Sequence, residues 1–379
     1  MRLFQNINID FMGKRKFFYI ISASILVLGL LSIIFRGLEF GIDFKGGTEI
    51  VLQFEKPISI SDVRDDLSGI GLGDIEVKTF GGETGVLVST ELTELPPEIF
   101  PKMKENMLNL LSTNFPTSKF ELKDTSANTL ILEFANPDTA GLVVERLIAL
   151  GFQAGRVPED ITNRSISARI AMADWIEESI SAKFVDNPFT VIREEKVGPK
   201  VGSELKVNTL IAVVLSLLTI LLYLGFRYKF VFAFGAVLAL FHDVLITLGL
   251  YAIFYGLIPG LNLEINLTIV AAFLTLIGYS INDTVVIFDR LRETIKIHKT
   301  ETLYNLLNQG INKTLSRTIL TGGMTILTIT VLLIFGGDVL RAFAFTLLFG
   351  IIIGTYSSIF VASAMVYDYA TKYKKKIEF

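Results

Sequence analysis

Long unbroken apolar runs fill the two ends of the chain, and short mixed patterns fill a stretch between them. The runs are Phe17 to Phe35, Val207 to Phe226, a run within Phe230 to Leu257, about Ile265 to Phe288, Thr318 to Phe335 and Ala342 to Tyr367. Each is close to or beyond the ~20 residues a helix needs to cross a bilayer, so the pattern predicts six membrane helices. The first run is too long for the apolar part of a signal peptide. No A-x-A-like site follows it, so it reads as an uncleaved span.

From Arg36 to Lys206 the pattern is that of a folded domain inserted between the first two spans. Thr48 to Phe54 alternates apolar and polar, as a half-buried strand does. Ile75 to Phe80 and Gly85 to Thr90 read as strands around a Gly81-Gly82 turn, Lys119 to Lys123 and Thr129 to Phe134 as a hairpin, and Pro188 to Val197 as a further strand. Helices are predicted over Ser61 to Leu67, Glu98 to Leu111, Asp138 to Leu150 and Asp174 to Phe184. Strands mixed with helices predict an α+β domain of ferredoxin-like type. Its exposed sheet edges are candidates for binding an extended peptide by strand addition. It contains no metal-ligand spacing and no arrangement of nucleophile, base and oxyanion donors. Two glycine-bearing segments flank it: Gly41-Ile42-Asp43-Phe44-Lys45-Gly46-Gly47-Thr48 on the way out, and Val197-Gly198-Pro199-Lys200-Val201-Gly202 on the return. Gly41, Gly46, Gly47, Gly198 and Gly202 are candidate hinge positions, since glycine permits backbone angles closed to other residues.

Charge distribution orients the spans. Lys14-Arg15-Lys16 precede the first, Arg227 and Lys229 lie between the second and third, Arg290 to Arg317 contains further basic residues, and Lys372, Lys374, Lys375 and Lys376 close the chain. The turns at Pro259 and Gly336 lack lysine and arginine. Cytoplasmic loops carry the excess of Lys and Arg, so both termini are expected in the cytoplasm and the inserted domain outside. The predicted layout is a cytoplasmic segment 1–16, a first span 17–35, an extracytoplasmic domain 36–206, five further spans over 207–371 and a basic tail 372–379. Leu303, Leu306, Leu307, Gly310 and Ile311 repeat at helical spacing, which predicts a cytoplasmic amphipathic helix near 300–312, lying on the membrane face or docked under the bundle.

The chain has 379 residues, 51% hydrophobic and 19% charged, with a net charge of −3. Nothing in that balance suggests nucleic acid as a partner. There is no cysteine, which removes disulfides, thiol catalysis and thiolate metal sites, and only two histidines. No metal centre and no cofactor are expected.

Two carboxylates stand inside the apolar runs. Asp283 lies in the fourth span and Asp243, next to His242, in the third. Ionisable groups at membrane depth are expensive, and their default reading is a site on an ion or proton path. Arg317 begins the fifth span at a depth similar to that of Asp283, so the two can pair. An arginine favours the charged carboxylate and an apolar surrounding the neutral acid, a balance suited to loading and unloading a proton. A static salt bridge between helices fits the same residues, and interhelical hydrogen bonding fits His242. Asn282 and Thr284 are further polar groups on span four. Arg290, seven residues after Asp283, shares its helix face and is placed to guard the cytoplasmic exit. In span six, Gly350 and Gly354 form a G-x-x-x-G that permits close helix approach.

The segments G-I-D-F-K-G-G-T, V-G-P-K-V-G-S-E-L, F-H-D-V, G-Y-S-I-N-D-T-V-V-I-F-D-R-L-R-E and L-S-R-T-I-L-T follow one another in an order that resembles the SecD/SecF family of protein-export membrane proteins, on its SecF side. The resemblance runs essentially from end to end. One departure is an outer domain longer than in compact members, with the excess between about Glu94 and Thr190. The resemblance implies half of a resistance-nodulation-division-type unit in the bacterial cytoplasmic (inner) membrane. It implies a SecD-like subunit as heterodimer partner, contact with the SecYEG channel, YajC and YidC as further partners, an unfolded preprotein as cargo and membrane lipid as solvent. The implied work is late-stage export driven by a proton or sodium gradient, without bond-making catalysis. The family's ion-transport residues fall on Asp283 and Arg317, its span-three aspartate on Asp243, and its glycine motifs on the five glycines above. A lipid or small-molecule exporter of the same superfamily and a passive scaffold are the competing readings.

Overall fold

The computed structural model describes residues 8–373 except 127, 229, 259 and 299, and it omits the side chains of 126, 338 and 339. Lys229, Pro259, the lysines at 374–376 and the first seven residues therefore lie outside the described residues. The chain divides into two compact units, Met1–Gly41 with Glu204–Phe379, and Ile42–Ser203.

The first unit opens with α1 (Phe11–Arg36), whose N-cap Asp10 accepts a hydrogen bond from the Gly13 N–H at 2.9 Å. The span thus begins six residues before the start of the apolar run.

The second unit holds α2 (Ile42–Lys45), β1 (Gly47–Phe54), α3 (Ile60–Ser68), β2 (Ile75–Thr79), β3 (Gly85–Thr90), α4 (Phe100–Asn114), β4 (Phe120–Ser126), β5 (Thr129–Phe134), α5 (Pro137–Ala149), β6 (Gln153–Arg156), β7 (Ser165–Arg169), α6 (Met172–Ile180) and β8 (Phe189–Val197). The first sheet has the order β2-β3-β1-β8, all antiparallel. Read along the chain as β1-α3-β2-β3 and then α6-β8, this is the ferredoxin-like split βαβ arrangement. The stretch from α4 to β7 is inserted between β3 and α6. It builds a second antiparallel sheet of order β4-β5-β7-β6. Taking β5-α5-β6-β7 as the first three strands and α4-β4 as the last pair gives the same spatial order again. The insertion is therefore a second ferredoxin-like unit, circularly permuted, with α4-β4 before rather than after its partners. One ferredoxin-like unit was expected and two are present. The stretch between about Glu94 and Thr190 thus holds a whole fold, not elongated loops.

Helical spacing explains how both sheets share one core. Val63 and Leu67 of α3, Met103, Met107 and Leu111 of α4, Ala140, Val143 and Leu147 of α5, and Met172, Ile176 and Ile180 of α6 are buried at intervals of three or four. They meet Ile50, Leu52 and Phe54 of β1 and Leu130, Leu132 and Phe134 of β5 in a single apolar cluster. The indole N–H of Trp175 donates to the Ile70 carbonyl at 2.9 Å, which satisfies its one polar atom.

The first unit resumes at Glu204, within α7 (Pro199–Arg227), and continues as α8 (Phe230–Phe254), α9 (Leu267–Ile297), α10 (Leu303–Phe335), α11 (Gly337–Ser357), a π-helical segment Ser358–Ser363 and α12 (Ala364–Lys372). Six helices are long and apolar enough to cross a membrane: α1, α7, α8, α9, α10 and the run from Leu340 to Lys372. The segment near 300–312 is not a separate amphipathic helix. Thr302 caps Leu303, and the same helix runs on through the fifth span to Phe335. The apolar face seen in the sequence, Leu306, Leu307 and Ile311, is buried in the bundle, the second of the two placements expected.

Helix α8 is packed by α1, α9 and α11. The crossing with α1 is at Gly29 and Gly249, where a Cβ on either would stand within 2.9 Å of the other's Cα. Small residues allow the backbones to approach that closely. On α11, Gly350 faces Leu276 and Gly354 faces Ser280, so the G-x-x-x-G seats α11 against α9.

Candidate functional site

Asp243 is 1% exposed and Asp283 3% exposed, both inside the helical unit. Their surroundings differ. Asp243 is fully engaged. One carboxylate oxygen lies 3.0 Å from Nδ1 of His242. The other accepts from the hydroxyls of Ser280 at 2.7 Å and Ser357 at 2.8 Å. Helix α8 thus supplies the acid, α9 one donor and α11 another. His242 continues outward: its Nε2 lies 3.0 Å from Oγ of Ser22 on α1. Ser22 lies 2.8 Å from the hydroxyl of Tyr356, which donates to the Phe18 carbonyl at 2.7 Å.

Asp283 has a sparser environment. Among the described residues its one direct hydrogen bond is from Oγ1 of Thr355, at 3.2 Å. Thr284 beside it bonds Ser358 at 2.8 Å and also donates to the Ser280 carbonyl. The two carboxylates therefore hold neighbouring residues of one helix: Thr355 by Asp283 and Ser357 by Asp243. Directly after these residues the helix widens into the π-helical segment, where the Ser363 hydroxyl bonds the Ser358 carbonyl at 2.9 Å. Short π segments inside α-helices mark places where an extra residue has been accommodated, often at functional sites.

Arg317 does not pair with Asp283 in this structure. It is exposed on α10, and no ion pair joins the two among the described residues, although its charge is close enough to act on the Asp283 carboxyl. Its place at the start of the apolar run gave the right neighbourhood, but spacing along one helix does not fix how far a long side chain stands from another. Asn282 is exposed on the outer side of α9, away from Ser280, Asp283 and Thr284, which are buried. Arg290 bonds Glu293 one turn on, at 2.5 Å.

The five glycines divide. Gly46 and Gly47 have positive φ, +79° and +127°, and a Cβ would lie 2.8 Å from the Pro199 Cα and 2.2 Å from the Thr90 carbonyl oxygen respectively. A Cβ on Gly202 would approach the Gly46 nitrogen to 3.1 Å. These three permit close backbone packing between the two flanking segments, which also pair as Gly47 opposite Val197 at the end of the β1–β8 ladder. Gly198 has open space around it. Gly41 donates to the Ile265 carbonyl at 3.0 Å.

Sequence reasoning missed Ser22, Thr355 and Tyr356. Hydroxyl residues are ordinary in membrane helices, so no single one stands out.

The six-helix unit, its buried carboxylates and the inserted α+β domain define a multi-pass membrane protein. Residues 177–372 match the family model described as protein export membrane protein SecD/SecF, C-terminal, and residues 31–58 match the SecD/SecF GG motif. Curated relatives named protein translocase subunit SecF are similar over nearly all of the chain. That of Koribacter versatilis is 37% identical, covering 97% of this chain and 93% of its own. That of Calditerrivibrio nitroreducens is 38% identical over 95% and 93%, and that of Escherichia coli O157:H7 is 33% identical over 94% and 86%. The crystal structure of SecDF, a translocon-associated membrane protein from Thermus thermophilus, superposes with a TM-score of 0.65 at 28% identity. It covers 98% of this chain, which spans only 40% of that longer one. The chain belongs to the SecD/SecF family of protein-export membrane proteins.

Proposed function

We propose that this chain is the SecF-type half of an ion-driven protein translocase, working with a SecD-like subunit in the bacterial cytoplasmic membrane. The observation that carries the reading is the grip of two intramembrane carboxylates, Asp243 and Asp283, on Ser357 and Thr355 of one helix, next to its π-helical segment. A change in either carboxylate's charge alters what holds that helix. Moving one charge through ~100 mV supplies about 2.3 kcal/mol, comparable to the hydrogen bonds exchanged. Arg317, exposed on α10, is positioned to meet a partner half or a moving charge. Both termini are placed in the cytoplasm, and the unit 42–203 outside, where it engages an unfolded preprotein. No bond-making chemistry is assigned to it.

Strand addition is not the favoured mode of engagement. The outer strands of both sheets are protected in the usual ways. β8 has its extra residue at Ile192, between the pairs Arg193–Val51 and Val191–Leu52, and carries the run Arg193-Glu194-Glu195-Lys196; β4 carries a register shift after Leu122, β6 has four residues and β2 five. Side-chain contact with an extended chain is the alternative that the surface allows.

The test is export of a reporter preprotein into inverted vesicles that carry this chain and its SecD-like partner, with and without an imposed ion gradient. Asp283→Asn is expected to lose the gradient-dependent part of export while still assembling. A mutant that matches wild type would make Asp283 a structural polar group and leave a scaffold as the better reading.

A further inference from the structure

The hydrogen-bonded row from Phe18 to Asp243 has more links than it has hydrogens. It runs from the Phe18 carbonyl to the Tyr356 hydroxyl, to the Ser22 hydroxyl, to the His242 ring, to the Asp243 carboxylate, at 2.7, 2.8, 3.0 and 3.0 Å. Both ends are acceptors: a carbonyl has no hydrogen, and an ionised carboxylate has none. The four links therefore need four hydrogens from the groups between. Tyr356 has one, Ser22 has one and a neutral imidazole has one. One link is left with two facing lone pairs unless the row holds one further proton.

The other contacts do not supply it. The second oxygen of Asp243 is occupied by the Ser280 and Ser357 hydroxyls, whose hydrogens already point at it. The Thr247 hydroxyl bonds the Asp243 backbone carbonyl. The remaining titratable groups on the helices around the pair are held elsewhere. Asp283 on α9 is bonded by Thr355, and Tyr19 on α1 donates to Asp368, which also pairs with Arg15.

We propose that the His242–Asp243 pair is a proton-holding site, that the structure shows its loaded form, and that Ser22 and Tyr356 are the relay through which the proton is exchanged. With the proton present, both ring nitrogens donate, to Asp243 and to Ser22, Ser22 donates to Tyr356, and Tyr356 donates to Phe18. All four links are then satisfied. On release one proton leaves the row, every covalent bond other than that N–H or O–H is kept, and one link opens. The ligand class follows from the same atoms. A hard alkali or alkaline-earth cation takes convergent oxygen ligands, whereas two of these links end on imidazole nitrogen and the carboxylate's oxygens already face donors. The inference rests on the ion-coupled reading above and names the coupled ion as a proton at this site.

The chain has two histidines, so His298→Gln leaves His242 as the only imidazole. Ring-nitrogen NMR of that full-length chain in lipid vesicles then reports His242 alone. A doubly protonated ring at neutral pH, losing a proton as pH rises and unaffected by replacing potassium with sodium, is the expected result. A neutral ring at every pH at which the chain stays folded would overturn the proposal, as would a signal that follows sodium and not pH. Tyr356→Phe sharpens the test. It removes the Tyr356 hydroxyl and with it two links and one hydrogen, leaving two links and two hydrogens, which need no further proton. The ratio of doubly to singly protonated His242 should fall about tenfold at fixed pH, the effect of about one hydrogen bond. An unchanged ratio counts against the relay. Vesicle export measured in parallel separates the two readings. A loaded His242 without gradient-dependent export leaves this site standing and removes the translocase reading, and the converse removes this site alone.

Discussion

The two units of this chain handle buried polarity in opposite ways. Among the described residues, the buried polar or charged side chains of the unit 42–203 are Thr48 and Thr90. The helical unit buries His242, Asp243, Asp283, Ser280, Thr284, Ser357, Ser358 and others. The outer core is built from aliphatic, aromatic and methionine side chains, with Trp175 bonded to a backbone carbonyl. In water such a core is favoured because burying apolar surface is itself the driving force. Within a bilayer that force is absent between helices, since lipid tails are as apolar as leucine. Helices are then specified by close small-residue contacts, such as Gly29 on Gly249, and by hydrogen bonds across helices. Polar groups retained there are available for work that an apolar core cannot do. The contrast predicts that damage to the helical unit's polar row should remove function before stability, and damage to the outer core should remove stability first.

The largest effect is expected at Asp243. Asp243→Asn keeps the shape but replaces an acceptor oxygen with a donor facing hydroxyls and an imidazole. Gradient-dependent export in reconstituted vesicles should fall by at least about tenfold, while assembly with the partner is retained, because intramembrane hydrogen bonds are individually worth only about 0.6–2 kcal/mol. Loss of assembly at the same level as loss of export would erase the contrast between the two units.

In the outer unit Leu132→Ala should cost about 2–5 kcal/mol, since Leu132 is fully buried on the central strand of the second sheet. Trp175 is the only tryptophan of the chain and sits in this core, so its fluorescence reports unfolding of this unit without interference from the helices. A drop of that size with unchanged thermal behaviour of the helical unit supports the comparison. A denaturation midpoint that does not move would show that the second sheet is not part of one cooperative core.

How much of this was legible in the sequence follows the same division. A membrane helix must satisfy its backbone internally, so each span appears as one long apolar run and can be counted. Asp243 and Asp283 were visible because a carboxylate in such a run is rare and expensive. Their partners were not visible, because Ser22, Thr355 and Tyr356 lie on other helices and hydroxyls are common there. In the outer unit β6 and β7 were missed. β6 has four residues and includes Gly155, and β7, Ser-Ile-Ser-Ala-Arg, has two apolar positions. Without them the permuted second unit could not be recognised, since its order depends on β7 lying between β5 and β6. The helix near 300–312 was left with two placements for a related reason. Amphipathic spacing shows that one face is buried, not whether a bilayer surface or a neighbouring helix buries it.

The glycine segments give a smaller effect. Gly47→Ala places a Cβ 2.2 Å from the Thr90 carbonyl oxygen at a φ of +127°, so the β1 start must shift, at a cost of about 2–3 kcal/mol. Gly198→Ala meets nothing within 4 Å and should change stability by less than about 0.5 kcal/mol. Trp175-monitored unfolding separates the two. If Gly198→Ala nevertheless impaired export at normal stability, backbone freedom at that position would be its role, and the hinge reading would rest on Gly198 and not on Gly46 or Gly47.

The last effect concerns the one acid of the outer unit whose setting resembles the polar row of the helices. Asp174, in the first turn of α6, accepts a hydrogen bond from the Ala171 N–H at 2.6 Å. Burial pushes its carboxyl up to about 7, a shift opposed by the Ala171 bond and by Arg169, and reinforced by Glu194 and Glu177. An ordinary aspartate titrates near 3.9. Between about pH 4 and pH 7 the folded unit therefore holds a proton that the unfolded chain has lost. Stability contributed by the neutral acid is fully present below about pH 4 and declines as pH rises to about 7, above which it is constant. Because Asp174 is partly exposed, solvent screening holds the total to about 1–2 kcal/mol. Trp175-monitored stability of wild type should show this decline, and Asp174→Asn, which keeps an acceptor for Ala171 but cannot ionise, should flatten it. An unchanged slope in the variant would mean that Asp174 titrates as an ordinary surface acid. The outer unit would then contain no buried charge at all, and the contrast with the helical unit would be complete.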